Sequence, residues 1–112
     1  MSELTSKKCV ACEGGVDPLT REQALALMGQ ISPEWRLSED GKRIQREWKF
    51  RNFFHTMSFV NAVAHIANAE DHHPDMEVGY GWCRLTYTTH AIDGLSENDF
   101  ICAAKVDQLP RT

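Results

Sequence analysis

Residues 70–90 read EDHHPDMEVGYGWCRLTYTTH, and the change of period inside this stretch decides how the chain is built. Pro74 drives His73 out of the helical region towards an extended backbone, so whatever helix precedes it must end there. Beyond the proline, DMEVGYG and WCRLTYTTH read as two strands separated by the glycines at 79 and 81. In the second, Trp82, Arg84, Thr86 and Thr88 alternate with Cys83, Leu85, Tyr87 and Thr89, which gives one modestly apolar face.

Upstream, Phe53, Phe54, Met57, Val60, Ala64 and Ala67 recur at three- and four-residue steps, with no Gly or Pro between Asn52 and Asp71. That spacing predicts a long amphipathic helix. Before it, EWRLSEDGKRIQREWKF (34–50) turns at Asp40-Gly41, a hairpin signal, and reads as the first two strands, with Trp35 and Leu37 on one face. Ile44, Trp48 and Phe50 supply the apolar positions of the second.

DPLTREQALALMGQI (17–31) opens a first helix at a Thr20/Gln23 capping box, with Leu25, Leu27, Met28 and Ile31 as its apolar face and Gly29 and Pro33 at its end. A last helix starts at LSENDFICAAKVDQL (95–109), where Ser96 and Asp99 form the capping pair and Phe100, Ala103, Ala104 and Val106 face a core. The order helix, two strands, helix, two strands, helix implies an α+β fold: a four-stranded antiparallel sheet with three helices packed on one face. Edge strands and an uncovered sheet face then favour a homo-oligomer, a dimer or a tetramer.

Residues 1–16 lack periodicity and are expected to form a flexible arm, leaving 17–112 as a single domain. With 42% hydrophobic and 25% charged residues the chain has the balance of an ordinary globular protein. Its net charge of −4, with scattered Lys and Arg, argues against direct nucleic-acid or membrane binding. The N-terminus has no apolar core of a signal peptide, so a cytoplasmic protein is expected, with its four cysteines as thiols. Cys9 and Cys12 form a C-x-x-C without a second pair, which is weak support for a structural zinc site.

His72 and His73 sit at the helix break, and His90 ends a strand that must return towards it. An imidazole titrates at about pH 6.5 in isolation, so three rings in one cleft suit proton transfer near neutrality, with activity that changes across that range. A single histidine at a helix end is otherwise explained by the helix dipole, and His55 and His65, inside the long helix, are read as solvent-facing or core-edge residues. Asp99 has capping as its first explanation. Tyr80, Trp82 and Tyr87 could flank a planar ligand, although aromatic strand residues more often pack. His72, His73, His90 and Asp99 also offer donors for a zinc centre; adjacent histidines converge poorly on one ion and H-E-x-x-H is missing, so a metal-dependent hydrolase ranks second.

From about Pro18 onward, EDHHPDMEVGY, TYTTHAIDGLSENDF and the upstream Trp and Phe pattern together resemble the pterin-4a-carbinolamine dehydratases. The resemblance implies a small α+β enzyme that dehydrates 4a-hydroxytetrahydropterin to quinonoid dihydropterin, recycling the pterin used by aromatic amino-acid hydroxylases. It places the three active-site histidines on His72, His73 and His90. It places the substrate-binding set on Thr88, Thr89 and Asp99, with Asp71 beside them. Asn68 stands where the family often carries a glutamate, four residues before the first histidine, and Glu70 or Asp71 is the nearest replacement carboxylate. No metal or organic cofactor is implied, because the substrate's own nitrogen lone pair expels the hydroxyl. Some animal relatives also act as dimerisation cofactors of a homeodomain transcription factor, a non-catalytic alternative.

Overall fold

A computed structural model describes residues 3–10 and 17–110. The core-forming elements are α1 (Arg21–Met28), β1 (Arg36–Leu37), β2 (Ile44–Lys49), α2 (Phe53–Glu70), β3 (Asp75–Gly79), β4 (Trp82–Tyr87) and α3 (Glu97–Asp107). Short 3₁₀ turns occupy Glu3–Ser6 and His90–Ile92. The fold is the expected one: four antiparallel strands in the order β1-β2-β4-β3, with the helices on one face.

Local chemistry accounts for the boundaries. Thr20 and Gln23 form the reciprocal capping box that starts α1. Gly41, at φ 72°, turns the β1–β2 hairpin, and its N–H donates to the Ser38 carbonyl at 2.9 Å. Asp71 ends α2 in the left-handed region, at φ 52° and ψ 42°. Aspartate is among the few non-glycine residues that tolerate this conformation, and here it swings His72 and His73 out of the helical path.

The two helix faces differ from the expected ones by a small rotation. In α1 the seam is Ala24, Leu27, Met28 and Ile31, and Leu25 is 53% exposed. In α2 the buried positions are Thr56, Phe59, Val63 and Ala67, whereas Phe53 and Phe54 are exposed. The displaced register turns on Thr56. Its hydroxyl lies 2.9 Å from the Asn52 carbonyl and 2.8 Å from that of Tyr80, which satisfies a polar group inside the core.

In β2 and β4, alternation is strict. Ile44, Trp48, Cys83, Leu85 and Tyr87 face the helices, and Ile44 lies opposite Tyr87 and Trp48 opposite Cys83. The outer face is polar. Arg84 there bridges Glu47 at 3.1 Å and Glu77 at 2.9 Å. On the inner face Arg46 is neutralised by Asp107 at 2.7 Å, and Asp107 also accepts from the Trp35 indole at 2.8 Å, which fixes the C-terminal end of α3.

Tyr87 is fully buried, and its hydroxyl finds no hydrogen-bond partner among the described residues. Burial pushes its phenol well above the usual range. Tyr87→Phe removes a desolvated hydroxyl while keeping the ring, so we expect stability unchanged or raised by up to about 1 kcal/mol. Denaturant titration checks this; a clear loss of stability would mean that the hydroxyl is bonded.

Residues 3–10, expected as part of a flexible arm, lie against α3 with Leu4 only 1% exposed in the core. Cys12 lies outside the described residues. Among them, no helix is long and apolar enough to cross a membrane.

Candidate active site

A cleft of about 620 Å³ opens where the C-terminal end of α2 meets the end of β4. His72, His73 and His90 all line it, together with Asp71, Thr88 and Thr89. The αL turn at Asp71 and Pro74 aim the histidine pair from one side, and the 3₁₀ turn after Thr89 presents His90 from the other.

The rings differ in setting. His73 and His90 are exposed to solvent in the cleft, whereas the His72 side chain is only 12% exposed. His72 Nε2 lies 2.6 Å from Asp99 Oδ1, and its ring stacks on Tyr87 at 6.1 Å and an interplanar angle of 6°. With Asp99 as the acceptor, Nε2 donates towards it, and the orientation of the ring is set from behind.

Asp99 itself is fully buried and is not among the residues that line the cleft. Its second oxygen accepts from Thr89 Oγ1 at 2.8 Å and from the Ser96 N–H at 3.0 Å. One carboxylate thus caps α3 and holds His72. Thr88 borders the cleft but donates its hydroxyl to the Lys42 carbonyl at 2.6 Å.

Other candidates fall outside. Tyr87 supports His72 from the core, Trp82 lies under Arg84 with the guanidinium 5.3 Å from its ring, and Tyr80 stacks on Phe53; none of the three lines the cleft. His55 is spent on Asn52, Nδ1 to Oδ1 at 2.7 Å, and His65 is exposed on α2, as expected for both. Among the described residues, no three of His, Cys, Asp and Glu are grouped to hold a metal ion.

The family model described as pterin 4 alpha carbinolamine dehydratase matches residues 17–109. The chain belongs to that family. A relative from Nitrosomonas europaea that carries a pterin-4-alpha-carbinolamine dehydratase name is 57% identical over 107 residues, 96% of this chain and 93% of its own. One from Legionella pneumophila (strain Corby), similarly named, is 53% identical and covers 96% of both chains. Among solved structures, a transcriptional coactivator/pterin dehydratase from Brucella melitensis superposes with a TM-score of 0.75 at 27% identity, over 80% of this chain and 95% of that one. A pterin dehydratase-like RuBisCO assembly factor shares the fold alone, at 21% identity and a TM-score of 0.57.

Against the family pattern, Asn68 is exposed on α2, and the carboxylates at the cleft are Asp71 and Glu70. Glu70 accepts from Lys105 Nζ at 2.7 Å and from the Cys9 N–H at 2.8 Å, contacts 35 and 61 residues apart in sequence that no local pattern announces. The Lys105 hydrogen bond foremost, and the Cys9 N–H second, hold its carboxyl below the ordinary value of 4.5, against the opposing effect of burial. A lowered folded value stabilises the protein above about that pH, and the gain is lost as pH falls through the folded value. Glu70→Gln is therefore expected to cost about 1–3 kcal/mol at neutral pH and progressively less in acid. Denaturation at pH 7 and pH 3 measures this; an equal difference at both would contradict it.

Two thiols also meet at this border. Cys9 Sγ lies 3.6 Å from Cys102 Sγ, and that contact together with burial keeps Cys102 protonated. Cys83, in the sheet core, is pushed up to about 11 by burial.

Proposed function

We propose that this cleft dehydrates pterin-4a-carbinolamine to quinonoid dihydropterin by histidine general acid–base catalysis, without a metal. The observation that carries the reading is the arrival of His72, His73 and His90 at one cleft from two distant segments, with His72 tied to a buried carboxylate. The named relatives supply the reaction class.

In the reaction the C4a–O bond breaks, the hydroxyl takes a proton and leaves as water, and a ring N–H gives up its proton as the C=N bond forms. His73, exposed in the cleft, is the base at the ring nitrogen. His72 and His90 position and protonate the leaving hydroxyl. Asp99 contributes by accepting from His72 Nε2–H, which leaves Nδ1, carrying a proton in the acid form of the ring, to deliver that proton to the leaving hydroxyl. Each positioned acid or base contributes roughly 10²–10⁴-fold. Asp71, Thr88 and Thr89 shape the substrate-binding wall.

The reading extends to a cytoplasmic homodimer or homotetramer that returns pterin to an aromatic amino-acid hydroxylase. Phe54, 83% exposed, and Tyr80, 71% exposed, with Phe53 stacked on Tyr80 at 6.2 Å, supply apolar surface for such an assembly. A monomer in sedimentation velocity would remove that extension. The reaction itself is tested by following loss of the carbinolamine with purified protein, with and without a chelator. Acceleration that survives chelation supports the dehydratase. Acceleration abolished by chelation would instead favour metal-dependent chemistry, and none at all a binding module.

A further inference from the structure

Cys9 and Val10 line the same cleft as the histidines, yet both precede the residues that the family model matches. Their placement is heavily specified. The Asn98 side chain holds Val10 from both sides, its Oδ1 accepting from the Val10 N–H at 3.1 Å and its Nδ2 donating to the Val10 carbonyl at 2.6 Å. Glu70 accepts from the Cys9 N–H and is itself pinned by Lys105. Lys7 pairs with Glu97 at 2.9 Å, and Leu4 plugs the core.

Asn98 is 4% exposed, and a buried amide that matches both polar atoms of one backbone residue is costly to misplace. The side chain it positions, Val10, is 72% exposed, so the anchoring does not serve to bury Val10 in the core. The anchors sit on α2 and α3, next to His72 and Asp99 in sequence, which couples the segment to the catalytic end of both helices.

We propose that residues 9 and 10 form a prearranged wall of the pterin site, in which Val10 contacts the bound bicyclic ring or its side chain and Asn98 and Glu70 are positioning residues. This rests on the dehydratase reading. A fixed wall adds binding without touching the proton transfers, so its loss should appear in KM rather than kcat.

The test is steady-state dehydration by the full chain and its Val10→Ala, Val10→Asp and Asn98→Ala variants, with thermal unfolding of each. Val10 is exposed, so its variants fold even if Asn98→Ala is weakened. Expected are a KM raised roughly three- to tenfold in Val10→Ala and more in Val10→Asp, with kcat within about twofold of the parent. An active parent whose Val10 variants keep its KM would overturn the wall and leave the dehydratase standing. A parent that does not accelerate dehydration would overturn both.

Discussion

Alanine at position 73 is expected to lower kcat for dehydration by roughly 10²–10⁴-fold while leaving the fold intact. His73 has an exposed ring in the cleft and, among the described residues, no hydrogen-bond partner, so its removal opens no cavity and orphans none of them. The loss should therefore read as chemistry alone. Thermal unfolding should shift little, because substitutions at exposed positions away from special features stay within about ±0.5 kcal/mol. Stopped-flow turnover and a melting curve on the same preparation separate the two quantities. Parental kcat in this variant would remove His73 from the mechanism.

Asp99→Asn is expected to act on both activity and stability, because its carboxylate is shared. Three donors converge on two oxygens: His72 Nε2, Thr89 Oγ1 and the Ser96 N–H. An amide of the same shape keeps one acceptor and puts two N–H donors where the other oxygen stood. If the oxygen stays towards Thr89 and Ser96, the amide faces His72 and forces Nε2 to accept, which places the ring in the opposite tautomer. A fall in kcat of roughly 10²-fold is expected, at the low end of what positioned acid–base groups contribute. If the amide flips, the cap of α3 loses its acceptor instead and stability falls by about 1–2 kcal/mol. Asp99→Ala, which removes every contact, should cost more, about 3 kcal/mol, because three donors lose their acceptor inside the fold. An Asp99→Asn protein with parental kcat and parental stability would contradict the shared role.

Much of this was legible from residue order. The helix break at His73-Pro74, the hairpin at Asp40-Gly41, the alternation from Trp82 to Thr89 and both capping boxes are local signals, set by sterics and hydrogen bonds within a few residues. The exact faces of α1 and α2 were not, because a polar residue with satisfied bonds counts as core. Thr56 has the burial of a valine, and the two phenylalanines beside it are exposed.

The same limit applies to the site. The histidines are marked by type and by the proline beside them, and Asp99 by its capping position. Its burial behind His72 depends on how α3 packs, as do the roles of Glu70 and Asn98. Their partners lie 35, 61 and 88 residues away, so only the folded chain brings them together.

Five histidines in the chain offer an internal comparison for the central claim. In imidazole carbon–proton correlation spectra, addition of an oxidised pterin should move the ring signals of His72, His73 and His90 and leave those of His55 and His65 in place. Shifts confined to His55 or His65, or no shift in any ring at saturating pterin, would contradict it.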